Sequence, residues 1–529
     1  MDYSQILSQQ FNIKEEYAKN IITLLDDGNT IPFIARYRKE MHGSMDDQLI
    51  REFAEKLEYL RGLDKRRDEI RSLIDAQEKL TDEINLALDK AATLSELEDI
   101  YRPYRPKRKT RASIAKEKGL EPLANDILKQ EKGFDPSKSA VDYIDEEKGV
   151  TSVEDAIQGA MDIIAELVSD NAEIRKRIRN LTNANGVLVS VATDEEKDSV
   201  YKNYYDYKEP VKKIAGHKVS VETDSEKPLN SIFRAMITDK NQLCSDIIRE
   251  ACTDAYQRLI YPSIEREVRN DLTDTASENA MKVFAVNLKQ LLMQPPVKGK
   301  TVLALDPGYR TGCKTAVVDS TGKVLDTTVI YPTHSDKKIQ ESKQTLLRLI
   351  KKHHVDIISI GNGTASKETE MFTAETIKEA DYPVYYMVVS EAGASVYSAS
   401  KLAATELPDL DLTLRSAVSI ARRLQDPLAE LVKIEPKAIG VGQYQHDMPQ
   451  KKLGETLDGV VEDCVNSVGA DLNTASPALL SRVSGLNATV CKNIVAYREE
   501  NGAFTSRAEL KKVPKLGPKA FEQCAGFLR

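Results

Sequence analysis

The chain has 529 residues, 30% of them charged and 41% hydrophobic, with 75 Lys and Arg against 83 Asp and Glu. That length exceeds one hydrophobic core and sets an expectation of roughly three to five domains. The net charge of −8 excludes a polyanion binder working over its whole surface.

No apolar run approaches the ~18 residues of a membrane span, and the start MDYSQILSQQF carries no apolar signal segment. The six cysteines, at 244, 252, 313, 464, 491 and 524, form no CxxC pair. A reducing, cytoplasmic setting is expected, with no membrane partner, zinc knuckle or disulfide framework.

Residues 1–205 read as a helical N-terminal region. Stretches such as DDQLIREFAEKLEYLRGL repeat apolar groups at three- and four-residue steps. IPFIARYRKEMHG (31–43) interleaves Phe33 and Tyr37 with Arg36, Arg38 and Lys39. Stacking surfaces next to cations suit a single nucleic-acid strand, but a seam between packed elements is the preferred reading. RPYRPKRKTR (102–111) holds six cations and no acid. It reads as a phosphate contact through Arg105 and Arg108, or as a solvated loop. Residues 206–298 form a helical connecting region, entered through the tyrosine-rich YKNYYDYKEP (201–210), read as a docking segment, and ended by Pro295-Pro296.

At residue 300 the pattern becomes strand-like. TVLALD, KTAVVD and KVLDTTVIYP are three short β-type runs joined by Gly-containing turns. The helix SDKKIQESKQTLLRLIKKHH follows, then the strand VDIISIGNG, the helix ASKETEMFTAETIKEA and the strand YPVYYMVVSE. Three antiparallel strands followed by alternating α and β is the order of the ribonuclease-H-like fold, here assigned to 299–432. Residues 433–455 read as a linker and 456–529 as a helical region with short glycine hairpins. The expected fold class is multidomain and mostly α, with one α/β domain.

Two groups of residues carry chemistry. Asp306 ends the first strand of the meander and Glu391 follows a later one, so both fall at the same edge of the sheet. Two such carboxylates can share Mg²⁺ or Mn²⁺, and phosphodiester cleavage with two metals needs more acids. Asp426 and Glu430, four residues apart in QDPLAEL, are the candidates. Actin-like ATPases and sugar kinases open in the same way but need two copies of the fold, and no GxxxxGK[ST] loop is present.

The second group is at the C-terminal end. VSGLN (483–487) and PKLGPKA (514–520) match the helix-hairpin-helix motif, with corners at Gly485 and Gly517. Backbone amides at such corners take phosphates without reading bases. Lys492, Lys515 and Lys519 flank them, and residues 476–529 hold nine Lys and Arg against four Glu, a local balance of +5. Hairpins used only to pack helices remain the alternative.

Taken together, IPFIARYRKE, YRPYRPKRKTRASIAKEKGLEPLA, LALDPGYRTGCK, GNGTASKETE, VVSEAGASVYSAS and IGVGQYQHDM resemble the bacterial Tex family over essentially the whole chain. The resemblance implies a transcription accessory protein with a helical N-terminal scaffold, a YqgF domain similar to Holliday-junction resolvases, and tandem helix-hairpin-helix motifs. Family members normally continue into an OB-fold RNA-binding domain. This chain stops at CAGFLR, so that domain is expected to be missing through truncation.

By the same resemblance the resolvase acids map onto Asp306 and Glu391, and less directly onto Asp426 and Glu430, because DPLAE offers one Asp where resolvases carry two. A vestigial site follows from that departure. HKVSVETDSEKPLN (217–230) stands where relatives carry a basic, Arg-Gly-containing stretch.

The leading expectation is a monomeric binder of DNA or RNA backbones, without sequence specificity and with no required cofactor, acting with the transcription or translation machinery. The alternative is a Mg²⁺- or Mn²⁺-dependent, structure-selective nuclease using Asp306, Glu391 and Asp426.

Overall fold

The computed structural model describes residues 2–106, 109–191, 205–213, 220–222, 225–238 and 240–529. It divides into two compact units, one of Met1–Tyr3 with Glu55–Glu278 and one of Ser4–Ala54 with Asn279–Arg529. The expected boundary at 205/206 falls inside the first unit. Among the described residues no helix is long and apolar enough to cross a membrane.

The first unit is helical around a core built on the helix Val153–Asp170, whose Ile163, Ile164 and Val168 are buried with Ile248, Ala251 and Cys252 of Gln242–Asp254. Ser152 caps the first of these, its hydroxyl accepting from the Asp155 amide at 3.1 Å. The next helix, α1 (Ala172–Asn185), is capped by Asn171. A small antiparallel sheet then forms, with β1 (Val187–Val191) between β2 (Asp206–Pro210) and β3 (Ser220–Glu222). The described part of the tyrosine-rich segment carries strand β2, while Tyr201 and Tyr204 lie outside the described residues. Helix α2 (Glu226–Met236) follows, burying Pro228 and Ile232.

The second unit contains the α/β domain. Its five-stranded sheet has the order β6 (Val324–Ile330), β5 (Cys313–Val318), β4 (Val302–Asp306), β7 (Ile357–Gly361), β8 (Tyr385–Val389). β4–β6 form an antiparallel meander, while β7 and β8 run parallel to β4. This is the expected ribonuclease-H-like order.

Alternation along β4 explains the two cores. Val302 and Ala304 face Ala417, Val418 and Ala421 of helix α3 (Leu412–Gln425). Leu303 and Leu305 face Leu346, Leu349 and Ile350 of Asp336–His353 on the other side. Covering both faces is what makes these strands nearly all apolar.

The rest of the second unit joins the N-terminal segment to the C-terminal hairpins. Phe33 is buried with Leu457, Val461 and Ile494, and the Tyr37 ring meets Phe527 edge-on at 5.3 Å. Arg36 donates to the Asn466 carbonyl at 3.1 Å, and Arg38 pairs with Glu522 at 2.9 Å. IPFIARYRKE is thus a packing seam, the reading preferred from its sequence.

Candidate functional site

Two helices define the hairpins, α4 (Ala488–Asn501) and α5 (Pro518–Cys524). Backbone bonds align Val483-Ser484-Gly485-Leu486 with Val513-Pro514-Lys515-Leu516. Val483 and Val513 each donate to the carbonyl three residues back at 3.0 Å, and Leu486 and Leu516 donate to those valines' carbonyls at 3.1 and 3.3 Å.

The left-handed corner residue is therefore Gly485 (φ +75°) in the first hairpin and Lys515 (φ +65°) in the second. This corrects the expected corner at Gly517. That glycine takes the place of Asn487 and caps α5 with an ordinary φ of −76°. A lysine holding a left-handed conformation costs about 1–2 kcal/mol, which glycine would avoid.

The two corners differ in access. Val483 and Ser484 are buried. The Ser484 amide donates to Asn466 at 2.9 Å, and its hydroxyl bonds to Thr30. A side chain at Gly485 would strike Gln523, so this corner is packed against α5. The start of α4 is also filled, because the Asn487 side chain accepts from Thr489 and Val490.

In the second hairpin Pro514, Lys515, Gly517, Pro518 and Lys519 are all exposed, and no side chain caps the start of α5. The Lys519 ammonium rests on the Asp27 carbonyl. Lys515 and Lys492 have no carboxylate partner among the described residues. Arg105 belongs to the first unit, where Glu98 holds it at 3.2 Å and Tyr101 lies 6.0 Å from it. Arg108 lies outside the described residues.

In the α/β domain the carboxylates of Asp306 and Glu391 come together at the carboxyl edge of the sheet. Burial raises the pKa of each, and the Asp306 charge adds to the rise on Glu391. Gly361 and Gly363 make room for Glu391, since a Cβ at either would run into its carboxylate. The GNG of GNGTAS is thus a cradle for an acid. The Glu391 amide donates to Asn362 at 3.0 Å, while its Oε2 is buried without a hydrogen-bond partner.

Asp426 and Glu430 do not join this pair. Asp426 breaks the chain between α3 and the next helix and is used as its cap, accepting from the Ala429 amide at 3.1 Å. Glu430 is buried and bound to Lys433 at 2.8 Å, in a cluster with Glu406 and Tyr397.

What α3 turns toward the acids is Ser416, which hydrogen-bonds Asp306 and tempers its pKa rise, Ile420, which lies under Gly361, and Arg423. The sequence reading missed Arg423. It is 3% exposed and donates to the Ser390 and Ala392 carbonyls at 2.9 and 2.7 Å. Its Nε and Nη2 have no partner. Burial lowers its pKa to about 10, opposed by the charges of Glu430, Glu391 and Asp306. The spacing of Ser416, Ile420 and Arg423, steps of four and three, was the available signal.

A fixed guanidinium therefore sits where a divalent ion would need further oxygen ligands. Among the described residues no group of three or more His, Cys, Asp or Glu side chains is gathered for a metal. The residues present do not fit a two-metal centre.

The raised pKa values have a consequence for stability. Glu391 binds its proton more readily folded than unfolded, so its ionisation destabilises the fold as pH rises above the ordinary carboxylate range, about 4, through the raised folded value. Glu391→Gln is expected to raise the melting temperature at pH 7–8 and to give no gain near pH 4. Thermal melts across that range check this, and an equal change at every pH would contradict it.

These features, a ribonuclease-H-like domain with a pair of acids at its sheet edge and a tandem of helix-hairpin-helix units, define a multidomain class of protein. Known families divide the chain in the same way: Tex-like protein N-terminal domain at 1–75, Tex central region-like at 131–235, Tex protein YqgF-like domain at 300–425, and helix-hairpin-helix motif at 465–529.

The chain is 47% identical to YdcI of Bacillus subtilis, covering 100% of this chain and 76% of that protein. It is 45% identical both to Protein tex of Bordetella pertussis and to the Transcriptional accessory protein Tex of Neisseria gonorrhoeae, covering 100% of this chain and 71% and 72% of theirs. The chain belongs to the Tex family.

Proposed function

We propose that this chain is a nucleic-acid-binding transcription accessory factor that grips sugar–phosphate backbones without reading bases. The observation that carries the reading is the open second hairpin, with Lys515 and Lys519 exposed beside an uncapped backbone turn. Cations and amides at such a turn hold phosphates and carry no sequence information. The hairpins are not equivalent: the first serves mainly to brace the second. The name of the gonococcal relative, a transcriptional accessory protein, agrees with this role.

The α/β domain acts as a scaffold rather than a nuclease, and no divalent cofactor is required. Lys314 and Arg423 supply positive charge beside Asp306, and Arg423 beside Glu391, while Asp426 and Glu430 are committed elsewhere. Fluorescence anisotropy with two labelled duplexes of equal length and unrelated sequence, each with and without Mn²⁺, tests both parts. Equal affinities and intact strands are expected, for linear and branched substrates alike. Affinities differing more than about tenfold would mean base readout. Cleavage abolished by Asp306→Asn would restore the nuclease alternative.

A further inference from the structure

A second feature with phosphate chemistry lies in the first unit, and it takes Lys227 and Asn230 from the end of the HKVSVETDSEKPLN stretch. Between α1 and α2 is a cleft of about 430 Å³, lined by Arg177, Leu181, Lys227, Asn230, Ser231 and Arg234. Three of the six are cations, two are neutral hydrogen-bonding side chains, and none is acidic. In a chain with a net charge of −8, a concave lining without an acid among the described residues stands out from the overall charge balance.

The lining follows from helix geometry. Lys227, Asn230, Ser231 and Arg234 recur at steps of three, one and three, so they share one face of α2 while Pro228 and Ile232 bury the other. Arg177 and Leu181 are four apart on α1 and meet that face. A pocket of this size built for an apolar small molecule is lined mainly by hydrophobic and aromatic groups, and Leu181 alone answers that description here.

The cations are available. Among the described residues Arg177 pairs only with Glu173 four residues before it, at 3.1 Å, with both side chains more than half exposed. Such an exposed pair is weak and gives way to a stronger anion. Lys227 and Arg234 have no ion pair among the described residues.

We infer that the α1–α2 cleft is a second phosphate-binding site, taking backbone phosphates of a nucleic-acid strand through Arg177, Lys227 and Arg234. Asn230 and Ser231 complete the site as uncharged donors to phosphate or sugar oxygens. The inference rests on the reading that the chain binds nucleic acid, and a comparison of two double variants separates the two claims.

Lys227→Glu with Arg234→Glu, and separately Lys515→Glu with Lys519→Glu, are made in the full chain and titrated with a labelled oligonucleotide over a range of salt. The cleft pair is expected to lower affinity about tenfold or more at 0.1 M salt and to flatten the log–log salt slope by about one to two units. An unchanged affinity in the cleft pair, with a loss in the hairpin pair, overturns this inference alone. Loss in the cleft pair with none in the hairpin pair supports the inference and overturns the hairpin reading.

Calorimetric titration with tripolyphosphate distinguishes the source of the phosphate. Binding that the cleft pair abolishes while oligonucleotide affinity stays intact would make this a free-polyphosphate site and overturn the assignment to a strand. Should the glutamate pair fail to fold, Lys227→Gln with Arg234→Gln carries the same test with a smaller expected loss.

Discussion

Lys515→Glu with Lys519→Glu lowers affinity for nucleic acid by about 50-fold at 0.1 M monovalent salt, and by a similar factor for unrelated sequences. Each phosphate contact contributes about 0.9 to the log–log salt slope, hence about eightfold at 0.1 M, and the variant removes two. The slope should fall by about 1.8 units with them. Both side chains are exposed, so the fold should tolerate the change. The two lysines are not equal partners. Lys515 has no carboxylate partner among the described residues, while Lys519 must leave the Asp27 carbonyl to reach a ligand. Lys515→Gly separates charge from backbone. It removes one contact and relieves the left-handed strain at φ +65°, so it weakens binding about eightfold at 0.1 M salt while stabilising the protein. An unchanged affinity in the double glutamate variant would refute the hairpin reading.

Arg423→Met is expected to destabilise the second unit by about 3–5 kcal/mol, the range for removing one side of a buried charge arrangement. The guanidinium satisfies the Ser390 and Ala392 carbonyls and acts on both acids, whereas Lys314 acts on Asp306. Without it the carbonyls lose their donor and Glu391, half-buried beside Asp306, loses its neighbouring cation. Denaturant titration measures the loss, and pairing the variant with Glu391→Gln should recover part of it through the shared charge. A loss below about 1 kcal/mol would mean that Arg423 is a bystander and that the pocket had room for a metal. Cleavage gained with Mn²⁺ in Arg423→Met would point the same way.

The order of the sheet was legible because β4, β5 and β6 are short apolar runs between glycine turns, and because helices cover both faces of β4 and β7. The seam at Phe33 and Tyr37 was legible for a related reason, since aromatic and apolar residues at helical spacing bury more often than they bind. The acid pair was legible from Asp306 at the end of β4 and Glu391 just past β8, at the same edge of the sheet.

Four things were not. Gly517 drew the eye as a turn former, but a lysine held the left-handed position, and only the aligned backbone bonds reveal which residue turns the corner. Asp426 and Glu430 have the right spacing for a shared helical face, yet Pro427 starts a new helix and turns Asp426 into its cap. Arg423 is one of two adjacent cations in the sequence. Only its spacing from Ser416 and Ile420 distinguishes it from Arg422, which reaches the Gly322 carbonyl instead. Burial of a charge is set by the strands packed against the helix. The cleft of Lys227 and Arg234 was hidden likewise, since its two stripes lie about fifty residues apart and meet only once α1 and α2 pack.

Hydrogen–deuterium exchange of the full chain, with and without saturating oligonucleotide, probes the gripping turn itself. Slowed exchange across 513–521, equal for two unrelated sequences, is the result expected if that turn takes the backbone. Full occupancy of the oligonucleotide with exchange at 513–521 unaltered would contradict it.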